Sequence, residues 1–495
     1  MNALVSLPVV LPLVAAALSI IVGRYRTAQR VIGLVTLTAV AGMAIALLVH
    51  VDSQGPVVVD AGGWPAPVGI SLVADRLAAI MLCVSSLVMV AVLVFAIGEA
   101  EAERIHVGFH PAFLALSAGV SLAFLTGDLF NLFVAVEVSL MASYVLLTLG
   151  GRREQVRAGM TYVVISLMAS TLFLTALALV YSATGTVNLA DLRLAIGELP
   201  GGVQDAFALL LVVVFGTKAA VFPLYFWLPD SYPTAPAPVT AVLAGLLTKV
   251  GVYALLRTQT LLFPGSAHPG TLLLAVAGVT MLVGVLGAIA QDDIRRVLSF
   301  QVVSQIGYMV MGLGLFTVAG IAGAVYYMVQ TILVKTSLFL TAGLIERTTG
   351  TGRLARIGGL VHRAPVVAGL FLVTALSLVG IPPLSGFVAK VALVEAGVAS
   401  EAYAIVAVAL VASLLTLYSL VRVWTNTFWG DPLPAGPPVA PEGGRGWVLM
   451  VGATAALAGL SVAAAVAAGP LYDLCARTAA DLLDPTRYVE AVLGR

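Results

Sequence analysis

Every lysine in this chain falls inside an apolar run: Lys218 in FGTKAAVF, Lys249 in GLLTKVGV, Lys335 in TILVKTSL and Lys390 in GFVAKVAL. One acidic residue is placed as deeply, Glu137 in NLFVAVEVSLMAS. It follows Asp128 by nine residues. At ~1.5 Å per helical residue it lies about 13 Å further along, near the middle of a ~30 Å hydrocarbon layer. A charge at that depth costs at least ~2.5–3.5 kcal/mol on insertion scales, and such groups pair or line a wet path. The choice of cation is informative. Of 25 basic residues all but these four are arginine, and none of the arginines lies deep in a span. Arginine keeps its proton in a protein, whereas a desolvated lysine can release one, and a buried glutamic acid can gain one. Glu137 with four lysines is therefore the composition of a proton relay.

The plainer reading is that these residues are structural ion pairs between helices. One glutamate cannot neutralise four lysines, so some amines must be neutral, hydrated or paired with another subunit. That imbalance favours the relay. The five histidines (His50, His106, His110, His268 and His362) fall at helix ends or in loops and read as surface residues. Asp75, Arg76 and Asp128 sit at span mouths and read as anchors.

The elements that must hold these side chains are transmembrane helices. The chain has 495 residues, 60% apolar and 10% charged, with a mean hydropathy of +1.07. Soluble domains run ~45–50% apolar and ~25% charged. The apolar runs predict an all-α polytopic membrane protein of fourteen spans, near 4–22, 30–50, 73–97, 111–126, 128–150, 157–182, 205–228, 235–258, 270–290, 296–316, 319–345, 366–395, 402–428 and 446–469. The first run has no basic residues ahead of it and reads as a retained span. Two cysteines, Cys83 and Cys475, exclude a disulfide scaffold and a cysteine-held metal or iron–sulfur centre. A net charge of +1 without a basic tract excludes nucleic acid as a partner. No phosphate-binding loop or dinucleotide fingerprint is present, so no cofactor is expected.

With the N-terminus outside, fifteen arginines collect at inner loops and helix ends, among them Arg24, Arg26, Arg30, Arg104, Arg152, Arg295, Arg347 and Arg445. Six fall outside: Arg76, Arg193, Arg257, Arg477, Arg487 and Arg495. That asymmetry follows the positive-inside rule and places both termini outside.

Two spans carry breakers. Pro223, Pro229, Pro233, Pro236 and Pro238 follow Lys218, and Gly380-Ile381-Pro382-Pro383 precede Lys390. Mid-membrane proline is tolerated where the segment lines a buried polar path. Two broken helices in corresponding halves point to a transporter site built from discontinuous helices. Spans four to eight and nine to thirteen form two blocks of five, and an odd-numbered block followed by its copy must be inverted. The resulting divisions are an N-terminal three-helix segment (1–110), a first five-helix repeat (111–258), a second, inverted one (270–428), and a last helix with a C-terminal tail (429–495), the tail reading as interfacial.

The stretches LTGDLFNLFVAVEVSLMASYVLL, KAAVFPLYFWLPDSYPTAPAPVTAVLAGLLTKVGVYALLR and FQVVSQIGYMVMG resemble the proton-translocating antiporter-like family. That family includes the large membrane-arm subunits of respiratory complex I, membrane-bound hydrogenases and the Mrp multisubunit cation/proton antiporters. The Pro-rich wording is most similar to the D-type subunits of the Mrp branch. The resemblance implies that Glu137 is the fifth-helix glutamate paired with Lys218 on the broken seventh helix. It implies that Lys249 is the connecting residue of the eighth helix, Lys335 a lysine of the central axis and Lys390 the lysine of the broken twelfth helix.

The function so implied is proton conduction in a multisubunit antiporter of a bacterial or archaeal cell membrane, exchanging external H+ for cytoplasmic Na+ or K+. The chain would be a secondary transporter subunit rather than an enzyme, with companion Mrp-type subunits and the bilayer as partners. The alternative is the proton-pumping membrane subunit of a complex I-like NADH dehydrogenase or a membrane-bound hydrogenase.

Overall fold

The computed structural model describes residues 2–99, 108–265, 268–430 and 444–494. Arg104, His106 and Arg495 lie outside the described residues. The chain is built from α1 (Asn2–Ile21), α2 (Arg26–Gln54), a hairpin of β1 (Val57–Asp60) and β2 (Ser71–Ala74), and α3 (Arg76–Glu99). There follow α4 (Phe109–Leu125), α5 (Leu129–Thr148), α6 (Arg153–Thr184), the short α7 (Leu189–Gly197), α8 (Gly201–Ala219), α9 (Trp227–Ser231) and α10 (Ala237–Leu262). The second half holds α11 (Gly270–Ile289), α12 (Ile294–Leu315), α13 (Val318–Thr349), α14 (Pro365–Val379), α15 (Ser385–Ala399) and α16 (Tyr403–Trp429). Last come α17 (Arg445–Val466), α18 (Ala468–Leu483) and α19 (Thr486–Leu493).

Among the described residues twelve helices are long and apolar enough to cross a bilayer, and α4 and α14 are shorter apolar helices. Two expected spans differ in form. The run near 205–228 stops as α8 at Ala219, and the run at 366–395 divides into α14 and α15. Burial sorts the helices into layers. The most apolar windows of α10, α12 and α13 are 94%, 94% and 100% buried, whereas those of α1, α2, α6, α16 and α17 are at most 39% buried. Three of the four lysines belong to or pack against that central layer, on α10, α13 and the neighbouring α15.

The two breaks have local causes. At the first, Ala220 takes a left-handed conformation (φ 63°) and its amide caps the Gly216 and Thr217 carbonyls. Pro223 then prevents the helix from resuming. Other exposed backbone groups find cross-helix partners: Phe222 N donates to Thr280 Oγ1 (3.0 Å), and Trp227 Nε1 donates to Thr217 O (3.1 Å). At the second, Gly380 (φ 91°) ends α14, a geometry that favours glycine. Helix α10 contains a π-helical stretch, Leu243–Leu247, just before Lys249.

Two loop structures repeat. Helices α6 and α13 are each 32 residues long and end at a left-handed glycine, in Thr184-Gly185-Thr186 and Thr349-Gly350-Thr351. Beyond each lies an isolated bridge to the residue that N-caps another helix, Asp128↔Asn188 for α5 and Asp293↔Arg353 for α12.

The C-terminal tail, expected at the membrane interface, packs on the helical body. Helix α18 lies along α13 with Cys475, Thr478 and Ala479 buried. Asp52 ties it down by pairing with Arg76 (2.9 Å) and Arg477 (2.8 Å), and Arg76 also pairs with Asp481.

Candidate functional site: lysines inside the helical body

Glu137 on α5 and Lys218 on α8 meet through a third helix. Lys218 Nζ donates to Ser170 Oγ of α6 (3.0 Å) and to the Ser166 carbonyl (3.2 Å), and Ser170 Oγ donates in a short hydrogen bond to the Glu137 carboxylate. The hydroxyl thus links the acid to the amine, and Lys218 occupies the last turn of α8, where the aligned carbonyls favour a cation.

Beside Lys218 lies a cavity of about 30 Å³, lined by Tyr162, Ser166, Thr217, Trp227, Tyr232 and residues of α10 including Val250 and Gly251. A Cβ on Gly251 would stand 2.5 Å from Ala219 N, so glycine allows α10 to approach the end of α8. Lys249, two residues earlier, is fully buried and donates to Ala244 O (2.8 Å). Its acceptor belongs to the π-helical stretch, where the altered backbone register leaves a carbonyl for the side chain.

Lys335 of α13 is fully buried, and its amine has no hydrogen-bond partner among the described residues. It is near enough to Lys249 and to Lys390 for the charge of each to act on it. One helical turn before it Thr331 bonds Gln330 (3.1 Å), and Gln330 reaches Ser377 (3.4 Å). Ser377, Ser385 and Ser461 join their hydroxyls at the second break (3.1–3.4 Å).

Lys390 sits on α15, beyond the break, whereas Lys218 precedes its own break. Its amine donates to Val379 O (2.7 Å), a carbonyl left free by the end of α14, and to Ser413 Oγ (2.9 Å). The Tyr308 ring lies 4.9 Å from that amine, and the Tyr308 hydroxyl donates to Ala409 O (2.7 Å) and meets Ser413 Oγ at 2.9 Å. Tyr327 stacks on Tyr308 (5.1 Å) and bonds Gln305.

The five residues singled out in the sequence fall into two groups: half-buried Glu137 and Lys218 are joined through Ser170, and buried Lys335 lies within electrostatic reach of the likewise buried Lys249 and Lys390. Sequence reasoning missed the partners of the lysines. Ser166, which offers its carbonyl, and Ser170, which offers its hydroxyl, are four residues apart on one face of α6, which is the signal that could have found them; Tyr308 and Ser413 carry none. It also missed an ion pair. Arg257 was expected among the outer arginines and Asp75 as an anchor, yet they form a buried bidentate pair (2.6 and 2.7 Å). The Tyr253 and Tyr488 rings lie 5.5 and 5.2 Å from that guanidinium. Of the histidines, His110 is buried and His268 stacks on Phe316 at 3.9 Å. Burial pushes the pKa of His268, in the loop before α11, down to about 4. Among the described residues no group of three His, Cys, Asp or Glu side chains is placed to hold a metal ion.

On the face where the arginines gather, a vestibule of about 1460 Å³ opens between the ends of α6, α9, α12 and α13. Its walls carry Gln155, Asp230, Arg296 and the half-buried pair Arg295–Glu346.

Comparison with known proteins gives this geometry its relatives. The family model described as NADH:quinone oxidoreductase/Mrp antiporter, transmembrane, matches residues 126–416. The chain is 45% identical to the D-type subunit of the Na(+)/H(+) antiporter of Alkalihalophilus pseudofirmus, over 100% of both chains. Its fold superposes on a chain of the Mrp complex from Dietzia sp. DQ12-45-1b with a TM-score of 0.92 and 33% identity, covering all of both chains. It also superposes on a chain of the membrane-bound sulfane sulfur reductase, an archaeal respiratory membrane complex, with a TM-score of 0.91 and 27% identity, again over the whole of both. The family match spans more than half of the sequence and the antiporter relative spans all of it, so the chain belongs to the NADH:quinone oxidoreductase/Mrp antiporter transmembrane family.

Proposed function

We propose that this chain is the proton-conducting subunit of a multisubunit cation/proton antiporter, exchanging external H+ for cytoplasmic Na+ or K+. The observation that carries the reading is the Glu137–Ser170–Lys218 link beside a further set of buried amines, in a chain alike over its full length to the D-type subunit of a Na(+)/H(+) antiporter. In this reading Glu137, Lys218, Lys249, Lys335 and Lys390 hold and pass the proton. Approach of Glu137 to Lys218 favours the charged amine, and charge on one lysine favours release from the next. An ion gradient supplies the energy, with proton flux coupled to Na+ or K+ export through companion Mrp-type subunits.

Matched 32-residue helices, matched Thr-Gly-Thr loops and matched aspartate N-caps support two inverted repeats at 111–258 and 270–428, flanked by 1–110 and 429–495. The arginine asymmetry supports a bacterial or archaeal plasma membrane location with both termini outside. A second reading, the pumping membrane subunit of a redox-driven complex, is favoured by the full-length likeness to the sulfane sulfur reductase chain.

The test is transport by membrane vesicles holding the complete set of subunits, with Na+, K+ and Li+ compared as partners for a pH gradient. Lys218→Ala or Glu137→Gln should abolish cation-driven proton movement while the complex still assembles. Full transport in either variant would overturn the relay.

A further inference from the structure

Three aromatic rings stand between the Lys218 cavity and the vestibule on the arginine-rich face. Tyr162, Trp227 and Tyr232 have ring centroids 5.5–6.1 Å apart. All three line the cavity, while Asp230, Pro233 and Thr234, on either side of Tyr232 in the chain, line the vestibule. Tyr232 thus lines the cavity while its neighbours in the chain line the vestibule.

Its hydroxyl is fully buried and has no hydrogen-bond partner among the described residues. The Tyr162 hydroxyl lies beside it, close enough to interact but outside ordinary hydrogen-bond geometry, and is itself held by Ser143 Oγ at 3.0 Å. A buried hydroxyl left unmatched costs ~1–3 kcal/mol, so such groups are ordinarily satisfied by protein or water. The adjoining space of about 30 Å³ exceeds the ~10–15 Å³ that one water needs. Its other polar walls are Lys218, Ser139, Ser166 and Thr217, set among mostly apolar side chains. The ring is fully buried against Tyr162 and Trp227, and its backbone sits between the short helix Trp227–Ser231 and the proline-rich stretch to Pro236, outside any long helical ladder.

We propose that the cavity holds a short water file contacting Lys218 Nζ and the Tyr232 hydroxyl, and that Tyr232 is the gate through which this file exchanges protons with the vestibule. The inference rests on the relay reading of Lys218 and adds the face to which that amine opens. Lys218 passes a proton to the first water as that water passes one toward Tyr232, so each O–H or N–H bond broken is matched by one formed. When the ring turns, vestibule water completes the file.

The experiment places a cysteine in the cavity wall, Ala169→Cys, within the assembled complex. A small cationic, membrane-impermeant thiosulfonate is applied from each face of sealed vesicles, and labelling at position 169 is read by mass spectrometry. With Tyr232 intact labelling should be slow. With Tyr232→Ala it should accelerate at least about tenfold, from the arginine-rich face alone. Equal rates with and without the ring, labelling from the opposite face, or protection in both forms would each overturn the gate. Tyr232→Phe keeps the ring and removes the hydroxyl. It should leave labelling slow yet lower cation-driven proton transport about tenfold, the factor given by one lost hydrogen bond of ~1.4 kcal/mol. Unchanged transport would overturn the water link. Labelling does not depend on turnover, so its outcome is separable from that of Lys218→Ala, which tests the relay itself.

Discussion

Glu137 and Lys218 share one hydroxyl, that of Ser170, which receives the ammonium hydrogen bond at 3.0 Å and donates its own proton to the carboxylate. An acid and a base joined in this way can tighten or separate by rotation about a single side-chain torsion. Ser170→Ala removes the joint and leaves both charged groups. Cation-driven proton transport is expected to fall about tenfold, equivalent to ~1.4 kcal/mol, with normal assembly, measured as quenching of a pH-sensitive dye in vesicles.

Lys390 receives support from three directions: the Val379 carbonyl, Ser413 and the Tyr308 ring. Lys390→Arg keeps the charge but cannot give up a proton at working pH. Transport should be lost although the complex purifies intact. A Lys390→Arg complex with wild-type turnover would show that this amine need not deprotonate.

Gly251 lets α10 touch the backbone at the end of α8. Gly251→Ala puts a carbon 2.5 Å from a main-chain nitrogen, a contact no side-chain rotation relieves. Overpacking of this kind costs about 1–3 kcal/mol. The midpoint of thermal aggregation of the purified complex should drop, and the same change at Gly452, which has open space around it, should not lower it.

The Asp75–Arg257 pair is buried on both sides. Removing one partner strands the other charge, at a cost of about 3–5 kcal/mol. Asp75→Ala should therefore destabilise strongly, and Asp75→Ala with Arg257→Met should recover part of the loss. A double variant no more stable than Asp75→Ala would contradict this account.

His268 gives a pH signature. Its folded pKa is held near 4 by burial, below the ordinary value of 6.5. As pH falls from about 6.5 the unfolded chain takes up the proton first, so folded stability declines until about pH 4 and then levels off. His268→Phe, which retains a ring to stack on Phe316, should flatten that segment of the stability curve, followed by thermal melting at a series of pH values.

The apolar runs and lysine positions made the helical membrane fold and the candidate relay legible, because a charge in lipid is too costly to be placed without cause. Both breaks were legible too, since proline and glycine act locally. What escaped were features decided by tertiary neighbours. Ser413 resembles any other small residue on a helix, and only the approach of α15 gives it an amine to bind. Arg257 sits near a span end and reads as interfacial, until Asp75, far away in sequence, meets it. The repeated Thr-Gly-Thr segments were present in the letters, but they become meaningful once the residue just beyond each, Asn188 or Arg353, is seen bridging to an aspartate cap.

Tyr488 in α19 rests against a guanidinium carried by α10. During synthesis α10 leaves the ribosome and enters the bilayer long before α19 exists. The Arg257 pocket therefore cannot close co-translationally and must wait for the late segment to return to it. Maturation of this half of the protein is consequently tied to the completion of distant chain, and bulky fusions placed just beyond α19 should be expected to slow it.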